Sequence, residues 1–156
     1  FNIGIKKGED MYSAFDIAEY VIKKCNDQGK GISNLKLQKI LYFIQAEFLV
    51  RTGKPIFRDP IEAWDFGPVV PSVYRRYRIY GGASIPYYDG EIDFPFKSKD
   101  RAIIDEIINS CVDLSASQLV EMTHKQDPWR DAYKDYRGKI ISNESIKAYF
   151  DKVMNG

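Results

Sequence analysis

The segment LKLQKILYFIQAEFLV, residues 35–50, constrains the fold more than any other. Leu37, Ile40, Leu41, Ile44 and Phe48 recur at three- and four-residue steps and form one apolar stripe. Leu35, Tyr42 and Leu49 widen that stripe on one flank, and Phe43 and Val50 lie on the far side. A helix apolar around most of its circumference must have neighbours on several sides. The spacing therefore predicts a central helix over about 34–52, begun by Ser33 or Asn34 and stopped by Gly53 and Pro55. It is not a membrane span. Lys36, Gln38, Lys39, Gln45 and Glu47 interrupt it, and no stretch reaches the roughly 18 consecutive apolar residues a span requires.

Further helices surround it. Ser13 and Asp16 form an N-cap signature ahead of Ala14, Ile17, Ala18, Val21, Ile22 and Cys25, which share one face. Another helix starts near Ser98 with Ile103, Ile104, Ile107, Ile108 and Cys111 inward, and Ser115 caps a shorter one to about Met122. Asp127 is the expected N-cap of a short helix with Pro128 at its first position. A last helix after Ser142 or Asn143 should bury Ile146, Tyr149, Phe150 and Val153. Short strands are expected around Phe57 and over Ile61–Trp64, with a hairpin turn at Asp89-Gly90. The fold class is mainly α: a single-domain helical bundle around helix 34–52 with a small β-strand and hairpin insertion.

Composition sets limits on function. At 156 residues with 44% hydrophobic and 29% charged residues, the chain suits one domain with a real core. A net charge of +1 argues against a general polyanion binder. Residues 1–10 carry no helical period, which predicts a translated leader or cloning-derived segment with Met11 as the natural start and one domain over 11–156. No signal-peptide pattern is present at the N-terminus, so a cytoplasmic location is the default expectation. Cys25 and Cys111 fall on apolar stripes and read as buried reduced thiols.

The stretch EAWDFGPVVPSVYRRYRIYGG, residues 62–82, carries the strongest functional signal. Pro68 and Pro71 exclude Gly67 and Val70 from a helix interior, so a helix should start at Pro71 and run to Tyr80 before Gly81 and Gly82. Val73, Tyr77 and Tyr80 share one face, and Arg75 and Arg78 point largely the other way. Arginine beside tyrosine is enriched at binding surfaces, although a solvated helix face reads the same way. Val69 and Val70, held on a stiff turn, are expected as exposed apolar contacts, with Tyr74, Arg75 and Arg78 beside them. Gln38, Tyr42 and Gln45 on the central helix either tie it to the WDFGPVV loop or line an adjoining wall. Trp64 reads as a core anchor, and Gly67 and Pro68 as structural.

LKLQKILYFIQAEFL, then GKPIF, then EAWDFGPVVPSVY, resembles the Panacea domain, a family that includes SocA-type antitoxins and phage-associated proteins of the GepA type. The resemblance runs from about Tyr12 to Phe150 and takes in His124, the Asp127-Pro128-Trp129 turn and SIKAYF. It implies a mainly helical, non-enzymatic domain that neutralises a cognate toxin protein by direct binding. In one branch it implies an adaptor that presents the toxin to an ATP-dependent protease.

Two rivals stand beside that reading. The Arg/Tyr helix 71–80 could contact phosphates and stack on bases, as in a nucleic-acid-binding phage regulatory protein, though near-neutral charge and the lack of a helix-turn-helix frame count against it. His124, the only histidine, lies near Glu121 and Asp127 and could mark an enzyme or metal site. Zinc wants three or four ligands, however, and neither a second histidine nor a cysteine pair accompanies it. His124 is read instead as a structural group at a helix end, with Trp129 beside it, and no cofactor or metal is expected.

Overall fold

The computed structural model describes residues 11–87 and 93–155. Residues 1–10 and the expected Asp89-Gly90 turn lie outside them. Seven α-helices and a three-stranded sheet follow in chain order among the described residues: α1 (Ala14–Asp27), α2 (Asn34–Thr52), β1 (Ile61–Trp64), β2 (Gly67–Val69), α3 (Pro71–Tyr77), α4 (Ser98–Cys111), α5 (Ala116–His124), α6 (Asp127–Asp135), β3 (Ile140–Ile141) and α7 (Asn143–Asn155). The fold is mainly α. No helix among the described residues is long and apolar enough to cross a membrane.

Helix α2 is the hub. It packs against α1, α3, α4, α5, α7 and β2. Twelve of its nineteen residues are buried, including Asn34, Gln38, Lys39 and Gln45. The Ser33 side chain caps its start by accepting from the Lys36 N–H, and Gly53 at φ 75° closes it in the left-handed region. Ser13 caps α1 and Ser115 caps α5, the latter in a reciprocal box with Gln118.

Several local expectations are corrected. The N-cap of α6 is Gln126, one residue before Asp127, and its side chain makes no capping bond. The α form of α3 ends at Tyr77, and Arg78–Tyr80 tightens into a 3₁₀ turn. On α7, Ile146 is buried and Tyr149 and Phe150 half-buried, but Val153 is 57% exposed because the helix runs past its neighbours. Phe57 makes only an isolated parallel bridge to Tyr12. Cys25 and Cys111 are buried free thiols.

The sheet has the order β2-β1-β3, both pairs antiparallel. Strand β2 consists of Gly-Pro-Val, and Pro68 is tolerated there because β2 is an edge strand. A two-residue turn, Asp65-Phe66, joins β1 to β2, with Trp64 opposite Gly67. No residue other than glycine takes a positive φ among those described, and Gly67 at φ 107° carries the reversal. A Cβ on Gly67 would lie 2.6 Å from Lys39 Cε and 2.7 Å from Thr123 Oγ1, so the position has neither the dihedral nor the room for a side chain. Gly67→Ala should therefore lower unfolding stability by about 2–4 kcal/mol, measured by urea denaturation. An unchanged midpoint would show that β2 can shift away from α2 without cost.

Candidate functional site: an arginine-rimmed apolar groove

Four buried polar side chains of α2 fasten the chain on either side of β1. Gln38 Oε1 accepts from the Val70 N–H at 2.9 Å, and Gln38 Nε2 donates to Asn34 Oδ1 at 2.9 Å. Asn34 Nδ2 in turn donates to the Tyr74 carbonyl at 3.1 Å. This relay ties both ends of the first turn of α3 to α2. Gln45 holds the chain upstream, donating to the Phe57 carbonyl at 2.9 Å and accepting from the Ile56 N–H at 2.8 Å. Lys39 Nζ donates to the Pro68 carbonyl at 3.0 Å. Burial pulls the Lys39 ammonium down to about 7, since no carboxylate pairs with it among the described residues.

From the opposite side, the carboxy-terminal half grips the β1–β2 turn. Trp129 Nε1 donates to the Trp64 carbonyl at 2.8 Å, and His124 Nε2 lies 3.0 Å from the Asp65 carbonyl. His124, Trp129 and Tyr133 stack in series, with centroids 4.1 and 4.6 Å apart. The Tyr133 hydroxyl donates to Asp65 Oδ1 at 2.6 Å, and Arg137 Nη1 contacts both Asp65 oxygens at 3.1 and 3.2 Å. The Tyr133 hydroxyl, then Arg137, hold the Asp65 carboxyl below its ordinary range. Among the described residues no three His, Cys, Asp or Glu side chains converge to hold a metal ion.

Between these two grips lies a groove of about 460 Å³. Leu35 and Val69 contribute its apolar floor, and Trp64 and Tyr74 meet edge-to-face at 5.0 Å on its wall. Asp65, Phe66, Arg78 and Arg137 edge it, and Gly81 and Gly138 present bare backbone. Phe66 is 65% exposed at the lip. Arg75 and Arg78 are exposed and have no ion-pair partner among the described residues, whereas Arg76 lies 4.0 Å over the Phe15 ring.

The residues singled out in the sequence divide accordingly. Tyr74 and Arg78 line the groove, and Arg75 is exposed on the same helix outside it. Val69 and Val70 are not exposed: they are 3% and 0% accessible, because β2 pairs with β1 and packs on α2. Val69 reaches the groove only as part of its floor. Gln38, Tyr42 and Gln45 are fully buried and form no outward wall; Tyr42 donates to Gln126 Oε1 at 2.8 Å. Trp64 is half-buried and faces the groove, where a core anchor was expected. Asp65, Phe66 and Arg137 were not singled out. Phe66 had a local signal, a bulky apolar residue at a two-residue turn, but the Arg137–Asp65 contact spans 72 positions and leaves no local trace.

Fold and site thus define a helical domain built to hold an apolar, arginine-rimmed groove open at its surface. The chain belongs to the family described as Antitoxin SocA-like, Panacea domain, which matches residues 37–130. Antitoxin SocA of Caulobacter vibrioides (strain NA1000 / CB15N) is 35% identical over 124 residues, covering 72% of this chain. The chain spans 66% of that curated relative's length. No solved structure matches it significantly.

The buried lysine makes a pH-dependent contribution with a defined sign. Its folded value near 7 lies below the ordinary 10.5, so between those values the unfolded chain binds a proton that the folded chain releases. Stability from this group therefore rises as pH increases from 7 towards 10.5. Lys39→Met removes the effect. The thermal midpoint of the native chain should gain on that of the variant as pH is raised across this window, and a constant difference would place the ammonium in water.

Proposed function

We propose that this chain is a non-enzymatic antitoxin domain that neutralises a cognate toxin protein by binding it at the Trp64–Tyr74–Arg78 groove. Membership of the SocA-like Panacea family carries the proposal, and a curated relative 35% identical to the chain is an antitoxin. The groove supports it physically: binding surfaces are rich in tyrosine, tryptophan and arginine, and a few such anchors dominate affinity. Arg78 at its edge and Arg75 just beyond it are exposed cations with no ion-pair partner among the described residues, so both are available to a partner.

Delivery of the bound toxin to an ATP-dependent protease in the cytoplasm is the finer form of this reading. It is separable from simple masking by the toxin's half-life: delivery shortens it when the chain is co-expressed, and masking leaves it unchanged or longer.

The test is co-expression with the small protein encoded beside its gene, scored by growth and by direct binding. The chain should restore growth and bind that protein. The double substitution Arg75→Ala, Arg78→Ala should weaken binding by about 2 kcal/mol or more with the thermal midpoint nearly unchanged, since both side chains are exposed. Full affinity in the double variant would remove these arginines from the interface.

A further inference from the structure

The groove also specifies what kind of segment enters it. Its edge holds two arginines against one carboxylate, and that carboxylate is already engaged. Arg137 uses only Nη1 on Asp65, which leaves Nε and Nη2 available as donors. Arg78 has no ion-pair partner among the described residues. The floor and wall beneath are apolar, with Phe66 standing 65% exposed at the lip.

We propose that the groove binds a short linear segment of the partner protein that places a large apolar side chain beside an aspartate or glutamate. The apolar side chain would fill the space over Val69, between Trp64 and Phe66. Its neighbouring carboxylate would bridge Arg78 and the free donors of Arg137, as planar guanidinium groups favour. The bare backbone at Gly81 and Gly138 leaves room for main chain to approach, since a Cβ at either would meet nothing within 4 Å. A nucleic acid fits the same walls less well. Trp64 and Tyr74 are turned edge-to-face onto each other and do not present parallel faces for stacking, and the Asp65 carboxylate on the groove's edge repels phosphate.

This inference rests on the groove being the partner-binding site, and its test runs independently of any toxin. Random dodecapeptides displayed on phage are selected against the whole chain, with oligothymidylate as competitor. Enriched peptides should share one large apolar residue with an Asp or Glu within two positions. A labelled peptide from that set should bind about tenfold more weakly to Arg78→Glu and to Phe66→Ser, two exposed substitutions that leave the fold intact, and should weaken with added salt. No enrichment, enrichment without the acid, binding unaffected by both substitutions, or displacement by oligothymidylate would each overturn the proposal.

The two readings fail separately. Peptides selected as expected, with Arg78→Glu still neutralising the toxin, would uphold the groove's chemistry and move neutralisation to another surface. Failed selection with neutralisation lost in Arg78→Glu would overturn the linear segment and leave a folded toxin surface as the partner.

Discussion

A helix with twelve of its nineteen residues buried cannot leave the polar side chains among them to water, and the organisation of this protein follows from how α2 resolves that constraint. Unpaired polar groups inside a core cost on the order of 1–3 kcal/mol each. Asn34, Gln38, Lys39 and Gln45 are all buried, and all four meet the need by binding backbone of the 56–74 segment. Each bond removes a cost on α2 and at the same time fixes a stretch of chain whose own elements are short: strands of four and three residues and the first turn of α3. The three-residue strand β2 owes its position as much to Lys39 and Gln38 as to its pairing with β1.

That arrangement bears directly on the groove. Its floor and one wall are carried by the segment that α2 immobilises, and its opposite edge by the turn that Trp129, Tyr133 and Arg137 hold. Groups that would otherwise need ordering on binding are ordered beforehand, which lowers the entropic cost of association. The long side chains of Arg78 at the edge and Arg75 beyond it are the exposed groups there, held by no ion pair among the described residues.

How much of this can be read from the sequence depends on the range of the interactions. The serine caps of α1, α2 and α5 and the stripe of α2 are local patterns, and they stand out in the chain as they do in the structure. The start of α3 at Pro71 is marked locally by proline sterics. Strands β2 and β3 are different. Nothing within Gly-Pro-Val or Ile-Ile says that they will pair with Ile61–Trp64, so Val69 and Val70 look exposed until that pairing is known. Val153 keeps the helical spacing of a core residue although more than half of its surface is exposed. In the groove, Tyr74 and Arg78 are marked by their arginine–tyrosine setting, whereas Asp65 acquires its meaning only from Tyr133 and Arg137, 68 and 72 positions away.

The grip of the carboxy-terminal half on the β1–β2 turn has a temporal side. Trp64 and Asp65 emerge early in synthesis, but the groups that hold them belong to residues 124–137, and the Gly138 N–H closes onto the Ala63 carbonyl at 2.7 Å. Contacts of such sequence separation form late, because the loop must close before they return any energy. A nascent chain that ends anywhere before Gly138 therefore exposes Trp64 and Phe66 without the wall that turns them into a groove. The groove is complete only once the chain has been made as far as Gly138.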